Sequence, residues 1–213
     1  MRIGLINENS QASKNAVIFK ALKEVTDEKG YEAVNFGMYG RQGEPELTYV
    51  QNGLLASILL NTHTVDFIIT GCGTGEGAIN GLNAFPGVMC GWAVEPTDAY
   101  LFTQINDGNA LSLPFAKGFG WGAELNLKLI FERLFAEAPG SGYPKERAVP
   151  EQRNAGILKG LKKDNYKPLI QILKEIDQDF LKETVSRQEF KDYFTAHADE
   201  GEIKDYVLKV CSE

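Results

Sequence analysis

Residues 65–83 constrain this chain more than any other stretch. Val65, Phe67, Ile68 and Ile69 make an apolar run suited to a buried strand. Gly71-Cys72-Gly73-Thr74-Gly75-Glu76-Gly77 follows at once, and Ala78 to Asn83 reads as a short helix. Strand, glycine loop and helix in that order point backbone N–H groups and a helix N-terminus at one spot beyond the sheet edge. Four glycines in seven positions let the backbone approach a ligand closely and take positive φ. Most free cysteines are small buried hydrophobes. Cys72, set between two glycines at a strand end beside helix-start N–H groups, is instead placed to act as a base or nucleophile. Thr74 and Glu76 share its loop.

The flanking sequence alternates strand and helix. Strands are predicted at 2–7, 31–36, 88–94 and 109–113 besides the one before Cys72. Helices are predicted at 14–28, with Ser13 or Asn9 as its cap and Ala16, Val17, Phe19, Ala21, Leu22 and Val25 on one face, at 47–61, from the Glu95-Pro-Thr-Asp98 cap to Ile105, and at 124–138. This is an α/β, Rossmann-like pattern: a parallel five-stranded sheet with helices on both faces. Ligands in such sheets bind outside the carboxyl ends of the strands. That rule gathers Glu8, Asn9, the 71–77 loop, Glu95 and the aromatic glycine loop 115–122 around one crevice. Trp92 reads as core, Phe119 and Trp121 as crevice walls.

Residues 139–150 form a Pro/Gly-rich linker. It divides an α/β core, 1–150, from a C-terminal helical extension, 151–213, that needs its own sheet or a partner subunit to cover its apolar stripes. Helices are expected there at 152–163, 167–182, 186–198 and 202–211, with a capping box at Ser186 and Glu189. The net charge of −7, with no offsetting basic cluster, argues against a nucleic-acid partner. No run of 18 apolar residues suggests a membrane span. The start lacks a signal-peptide pattern, and Cys72, Cys90 and Cys211 have neither paired nor metal-site spacing, so a reducing cytoplasm is expected.

Gly71-Cys-Gly-Thr-Gly75, Asn83-Ala-Phe-Pro-Gly87 and Asn106-Asp-Gly-Asn109 together resemble the family of type B ribose-5-phosphate isomerases and galactose-6-phosphate isomerases, over roughly residues 1–160. The loop's place at the third strand, and its cysteine, separate it from a dinucleotide site. The resemblance implies aldose–ketose isomerisation through a cis-enediol, without metal or cofactor, in a homodimer or homotetramer with shared active sites. It makes Cys72 the base that moves a proton between C1 and C2. The amides of Gly71, Gly73, Gly75 and Gly77, with Thr74, would stabilise the enediolate oxygen. Glu76 or Glu8 would deliver the second proton; the position where some relatives carry a glutamate base is Ala78. Asn9 and Asn106 fall at substrate-binding positions of the family. Lys117, Arg147 and Arg153 are the candidate cations for a substrate anion, with Arg41 and Tyr49 weaker candidates, and the family's arginines after the last core helix reach a neighbouring subunit's site.

The chain also departs from that family. Glu8-Asn9 stands where Asp-His is usual, Ile105 replaces the ring-opening histidine, Val94 replaces a histidine or tryptophan, and a phosphate-binding arginine becomes Ala116 or Lys117. A cyclic sugar phosphate needs an acid/base to open its ring and several cations to hold a dianion. An open-chain sugar acid needs neither. The expected substrate is therefore a non-phosphorylated keto-uronate, and the chain's resemblance to the streptococcal-type branch of the family, with its longer helical tail, implies 4-deoxy-L-threo-5-hexosulose uronate. The alternatives are a ribose or galactose phosphate, or a catalytically silent partner subunit or sugar-binding protein.

Overall fold

The strand-forming segments assemble into one sheet in a computed structural model that describes residues 1–212. The strands are β1 (Arg2–Asn7), β2 (Glu32–Asn35), β3 (Phe67–Cys72), β4 (Cys90–Trp92) and β5 (Ala110–Pro114). They run parallel in the order β2-β1-β3-β5-β4. The helices of this part are α1 (Asn15–Glu28), α2 (Tyr49–Asn61), α3 (Glu76–Asn83), α4 (Pro96–Leu101) and α5 (Ala123–Leu134). The tail adds α6 (Ala148–Asn165), α7 (Leu169–Glu175), α8 (Gln178–Thr184), α9 (Gln188–His197) and α10 (Glu202–Ser212).

Strand side chains alternate between two apolar layers, as a period of two requires. Ile3, Leu5, Phe67, Ile69, Leu111 and Leu113 face α1, α4 and α5. Ile6, Ile68 and Ala110 face α2 and α3, and that layer continues outward into Leu173, Leu181, Phe190, Phe194 and Val207 of the tail. Helices α7 to α10 therefore cover their stripes on their own chain, while α6 leaves Val149, Ile157, Leu158 and Leu161 exposed. This explains α2, which is buried at every position from Gln51 to Leu60. A helix apolar all round needs cover on every side, and α2 has the sheet beneath it and the tail helices above.

Several local expectations are corrected. The buried stripe of α1 is Asn15, Ile18, Ala21, Leu22, Val25 and Thr26, so Ala16 and Val17 face out. Neither Ser13 nor Asn9 caps that helix. Glu8 instead caps a 3₁₀ turn, Asn9–Lys14, that leads into it. The helix after Glu95 is α only to Leu101 and widens into a π-turn over Phe102–Asn106. The linker is shorter than expected, because α6 begins at Ala148 and takes Pro150 into its first turn, where a missing N–H costs nothing. The predicted helix 167–182 breaks at Ile176, where Asp177 accepts from the Phe180 N–H at 2.9 Å and starts α8. The Ser186–Glu189 box does not form. Ser186 Oγ donates to the Glu183 carbonyl, while Glu189 pairs with Arg41. No helix among the described residues is long and apolar enough to cross a membrane.

Helices α2 and α3 cross at two glycines. A Cβ on Gly53 would run into the Gly81 carbonyl, and one on Gly81 would lie 2.5 Å from the Tyr49 carbonyl oxygen. Both obstacles are backbone and cannot rotate away. Gly53→Ala should cost about 2 kcal/mol or more, despite alanine's better helix propensity, measured as a lowered urea midpoint with an unchanged m-value.

Candidate active site

The site is built at the carboxyl ends of β1, β3 and β5. Cys72 is the last residue of β3 and is 9% exposed. Its Sγ accepts from the Gly75 N–H at 3.2 Å. The loop is fixed from both sides. The Cys72 carbonyl accepts from the Phe115 N–H at 2.8 Å, and the Gly73 carbonyl accepts from the N–H groups of Ala116 and Lys117 at 3.0 and 2.9 Å. Ser112 Oγ donates to the Gly75 carbonyl at 2.7 Å, and Trp92 Nε1 donates to the Thr74 carbonyl at 3.0 Å. Every loop carbonyl from Cys72 to Gly75 is thus engaged. The N–H groups of Gly73 and Thr74 lie between the strand ladder and the helix.

Two glycines are required by this arrangement. Gly71 lies against the Leu113 carbonyl and the Phe115 ring. Gly75 has φ +80° and leaves no room for a Cβ beside Trp92 Nε1, 2.6 Å away. It sits just before Glu76, so α3 starts at the loop and its N-terminal dipole faces the same spot. Glu76 is exposed in that first turn, and exposed Thr74 accepts from the Glu76 N–H through Oγ1 at 3.3 Å.

Glu8 and Asn9 follow β1, beside β3. Glu8 is 3% exposed and receives the Ser10 N–H and hydroxyl. Asn9 donates to Glu46 at 3.4 Å, and its N–H binds the Leu47 carbonyl at 2.7 Å. Tyr49 lies across Gly77 from the thiol: a Cβ at Gly77 would stand 3.6 Å from both Cys72 Sγ and the Tyr49 ring. Lys117 extends exposed from the 115–122 loop, and Trp121 on that loop is fully exposed.

Other expected residues stand elsewhere. Asn106 ends the π-turn ahead of β5, at the amino pole of the sheet. Arg147 and Arg153 are exposed at the start of α6, which packs on that same π-turn. Lys159 pairs with Asp107, and Lys162 donates to the Asn83 carbonyl, again at the amino pole. Within this chain these residues do not join the Cys72 crevice. A cavity of about 610 Å³ lies on this side too, lined by Gly87, Asn109, Lys162 and Tyr166, and is separate from the Cys72 loop.

Sequence reasoning placed Trp92 in the core, whereas it is half-buried and holds the loop through its indole N–H. It missed Gln11 and Lys14. Gln11 Nε2 lies 3.9 Å from where a Gly73 Cβ would be, and Lys14 donates to Gln11 Oε1 at 2.7 Å and to the Phe115 carbonyl. The available signal was the polar run from Glu8 to Lys14 directly after a buried strand.

A cysteine held under a rigid amide-lined loop, with carboxylates at its rim, suits proton transfer next to a carbonyl. The comparisons agree on the class. A family model described as ribose/galactose isomerase matches residues 3–136, and one described as ribose-5-phosphate isomerase matches 165–210. A 4-deoxy-L-threo-5-hexosulose-uronate ketol-isomerase, crystallised with a tartrate, is 63% identical over 100% of both chains, with a TM-score of 0.98. A ribose-5-phosphate isomerase structure from Vibrio parahaemolyticus is 48% identical over 99% of both, with a TM-score of 0.95. Type B ribose-5-phosphate isomerase of Clostridium thermocellum, 22% identical over 78% of this chain and 100% of its own with a TM-score of 0.60, shares the fold. No curated protein sequence matches. The protein is an aldose–ketose isomerase by class. The chain belongs to the ribose/galactose isomerase family.

Trp92→Phe keeps an aromatic side chain but removes the five-membered ring and, with it, the donor to the Thr74 carbonyl. Turnover should fall by about fivefold, since one lost neutral hydrogen bond is worth about 1 kcal/mol and the loop's aim depends on it; melting measured alongside should shift by only a few degrees.

Proposed function

We propose that this enzyme interconverts 4-deoxy-L-threo-5-hexosulose uronate and its ketol isomer through a cis-enediolate, without metal or cofactor. The observation that carries the reading is the 63% identity, across the whole chain, to a ketol-isomerase of that substrate. The site chemistry supports it. The Cys72 sulfur, which accepts from the Gly75 N–H, takes the proton from one carbon of the C1–C2 pair and returns it to the other. Negative charge then grows on the carbonyl oxygen, to which the amides of Gly73 and Thr74, on a backbone held through its carbonyls, and the Thr74 hydroxyl would donate. Glu76 or Glu8 moves the hydroxyl proton. A preset cradle of this kind stabilises the enediolate more than the substrate, which is what lowers the barrier.

Arg147, Arg153 and Asn106 enter this reading through a second copy. They cluster at the amino pole, and Val149, Ile157, Leu158 and Leu161 leave an apolar face of α6 exposed beside them. A homodimer or homotetramer that covers α6 would carry these cations to a partner's Cys72 and its anionic substrate. Lys117 would contribute from within the subunit. The 48% identical ribose-5-phosphate isomerase favours a sugar phosphate as the second reading.

Parallel assays with the keto-uronate and ribose 5-phosphate separate the two. Turnover of the uronate alone is expected, and turnover of ribose 5-phosphate alone would overturn the first reading. Cys72→Ala should fold normally by circular dichroism and lose turnover by about a thousandfold or more, within the range for removing an essential acid/base. Full activity in that variant would eliminate the proposed base.

A further inference from the structure

The tail does more than cover α2. From inside it, Arg187 reaches the segment that walls the catalytic crevice. Arg187 immediately precedes α9, and its side chain is 2% exposed. Its Nε lies 3.5 Å from Glu44 Oε1, itself on a side chain only 6% exposed, and Nη2 donates to the Pro45 carbonyl. Nε and Nη1 have no hydrogen-bond partner among the described residues, so Glu44 is the carboxylate that offsets this buried charge. Glu44 in turn gathers its own loop, accepting from the N–H groups of Tyr39 at 2.8 Å and Arg41 at 3.2 Å. The next residues reach the site directly. Glu46 holds Asn9, Leu47 holds the Asn9 N–H, Thr48 caps α2, and Tyr49 lies beside the Cys72 thiol across Gly77.

We propose that Arg187 is a positioning residue: by clamping Glu44 and Pro45 it sets where Tyr49 and Asn9 stand at the Cys72 crevice. The catalytic loop and the helical tail are then one functional unit, although they are more than a hundred residues apart in sequence. A guanidinium is needed because it bridges a carboxylate and a carbonyl at once, whereas an ammonium acts as a single point charge. The kinetic arm of the test rests on the isomerase reading; the labelling arm does not.

Two variants are compared with the wild type. Arg187→Lys keeps the charge and loses the bridge. Glu44→Gln with Arg187→Met removes both buried charges together, which avoids stranding one of them. The first readout is the rate of Cys72 alkylation by iodoacetamide at pH 7.5, located by peptide mass spectrometry. Burial pushes the thiols of Cys90 and Cys211 up, so both react slowly at that pH. The second readout is kcat and KM for the keto-uronate. Loosening the Tyr49 wall should speed alkylation about fivefold by opening access to the thiol, and should lower kcat/KM about tenfold by misplacing the crevice wall. Val207→Ala, which weakens the tail's apolar core and leaves Arg187 and Glu44 themselves unchanged, should leave both readouts within about twofold at a temperature where it stays folded.

Wild-type alkylation and kinetics in a folded Arg187 variant would overturn the proposal. So would equal changes in Val207→Ala, since Arg187 would then act only through the stability of the tail. Arg187→Lys decides the matter if the double variant does not fold. If the wild-type protein turns over no sugar, the functional reading fails while the labelling comparison still tests the clamp.

Discussion

The close approach of the 71–77 backbone to β5 and its following loop is the constraint on which the site depends. Gly71 lies against the Leu113 carbonyl, and Gly75 turns beside Trp92 with positive φ. A side chain at either position would push the loop off the sheet edge. Because the loop sits so close, its carbonyls find donors on Ser112, Trp92, Phe115, Ala116 and Lys117. A backbone satisfied on its acceptor side cannot swing to meet a growing negative charge. It has to be aimed in advance, and that is the condition under which amide dipoles are most effective. The glycines are therefore there for proximity more than for flexibility.

The second dependence runs through α2. Two faces of one helix serve two layers: the sheet beneath, and above it the tail helices carrying Leu173, Leu181, Phe190 and Phe194. Stripping the tail would expose much of a helix that has no polar face to offer water. Its crossing with α3 at Gly53 and Gly81 ties that same helix to the one whose first turn carries Glu76. Packing in the tail and the geometry of the 71–77 loop are thus linked through α2 and α3 as well as through the 37–48 segment.

What was legible in the sequence follows from the range of the interactions involved. The five strands, their parallel arrangement and the strand–loop–helix around Cys72 came from local periodicity and glycine spacing, which are encoded within a few residues. The misses arose where a distant partner decided the outcome. Val17 is apolar yet faces out, while Asn15 is polar and buried because it exchanges hydrogen bonds with Asn35 across two elements. Glu189 had the spacing of a capping box, but Arg41 claimed its carboxylate from almost 150 residues away in sequence. Trp92 reads as core in the sequence because aromatics near strands are more often packed there; only the tertiary fold brings a carbonyl to its indole nitrogen. Gln11 and Lys14 approach the loop for the same reason, through a 3₁₀ turn whose only local sign is the polar run from Glu8 to Lys14.

The histidines bear on the proposed substrate. The chain has two. His63 follows α2, where its carbonyl accepts from Arg2 at the start of β1 and its ring Nδ1 lies 2.7 Å from Asp199. His197 ends α9, where its ring stacks on Tyr193 and its Nδ1 lies 2.9 Å from the Tyr193 carbonyl. His63 lies at the amino pole of the sheet and His197 in the tail, so neither imidazole approaches the crevice of its own subunit. Opening a sugar ring calls for an acid and a base that exchange protons readily near neutral pH, the task for which imidazole is best suited. A crevice with a thiol, carboxylates and fixed amides, but no imidazole of its own, can still move a proton between adjacent carbons of a molecule already in open-chain form. That match of groups to task favours a keto-uronate over a cyclic sugar phosphate, independently of the likeness to the uronate isomerase.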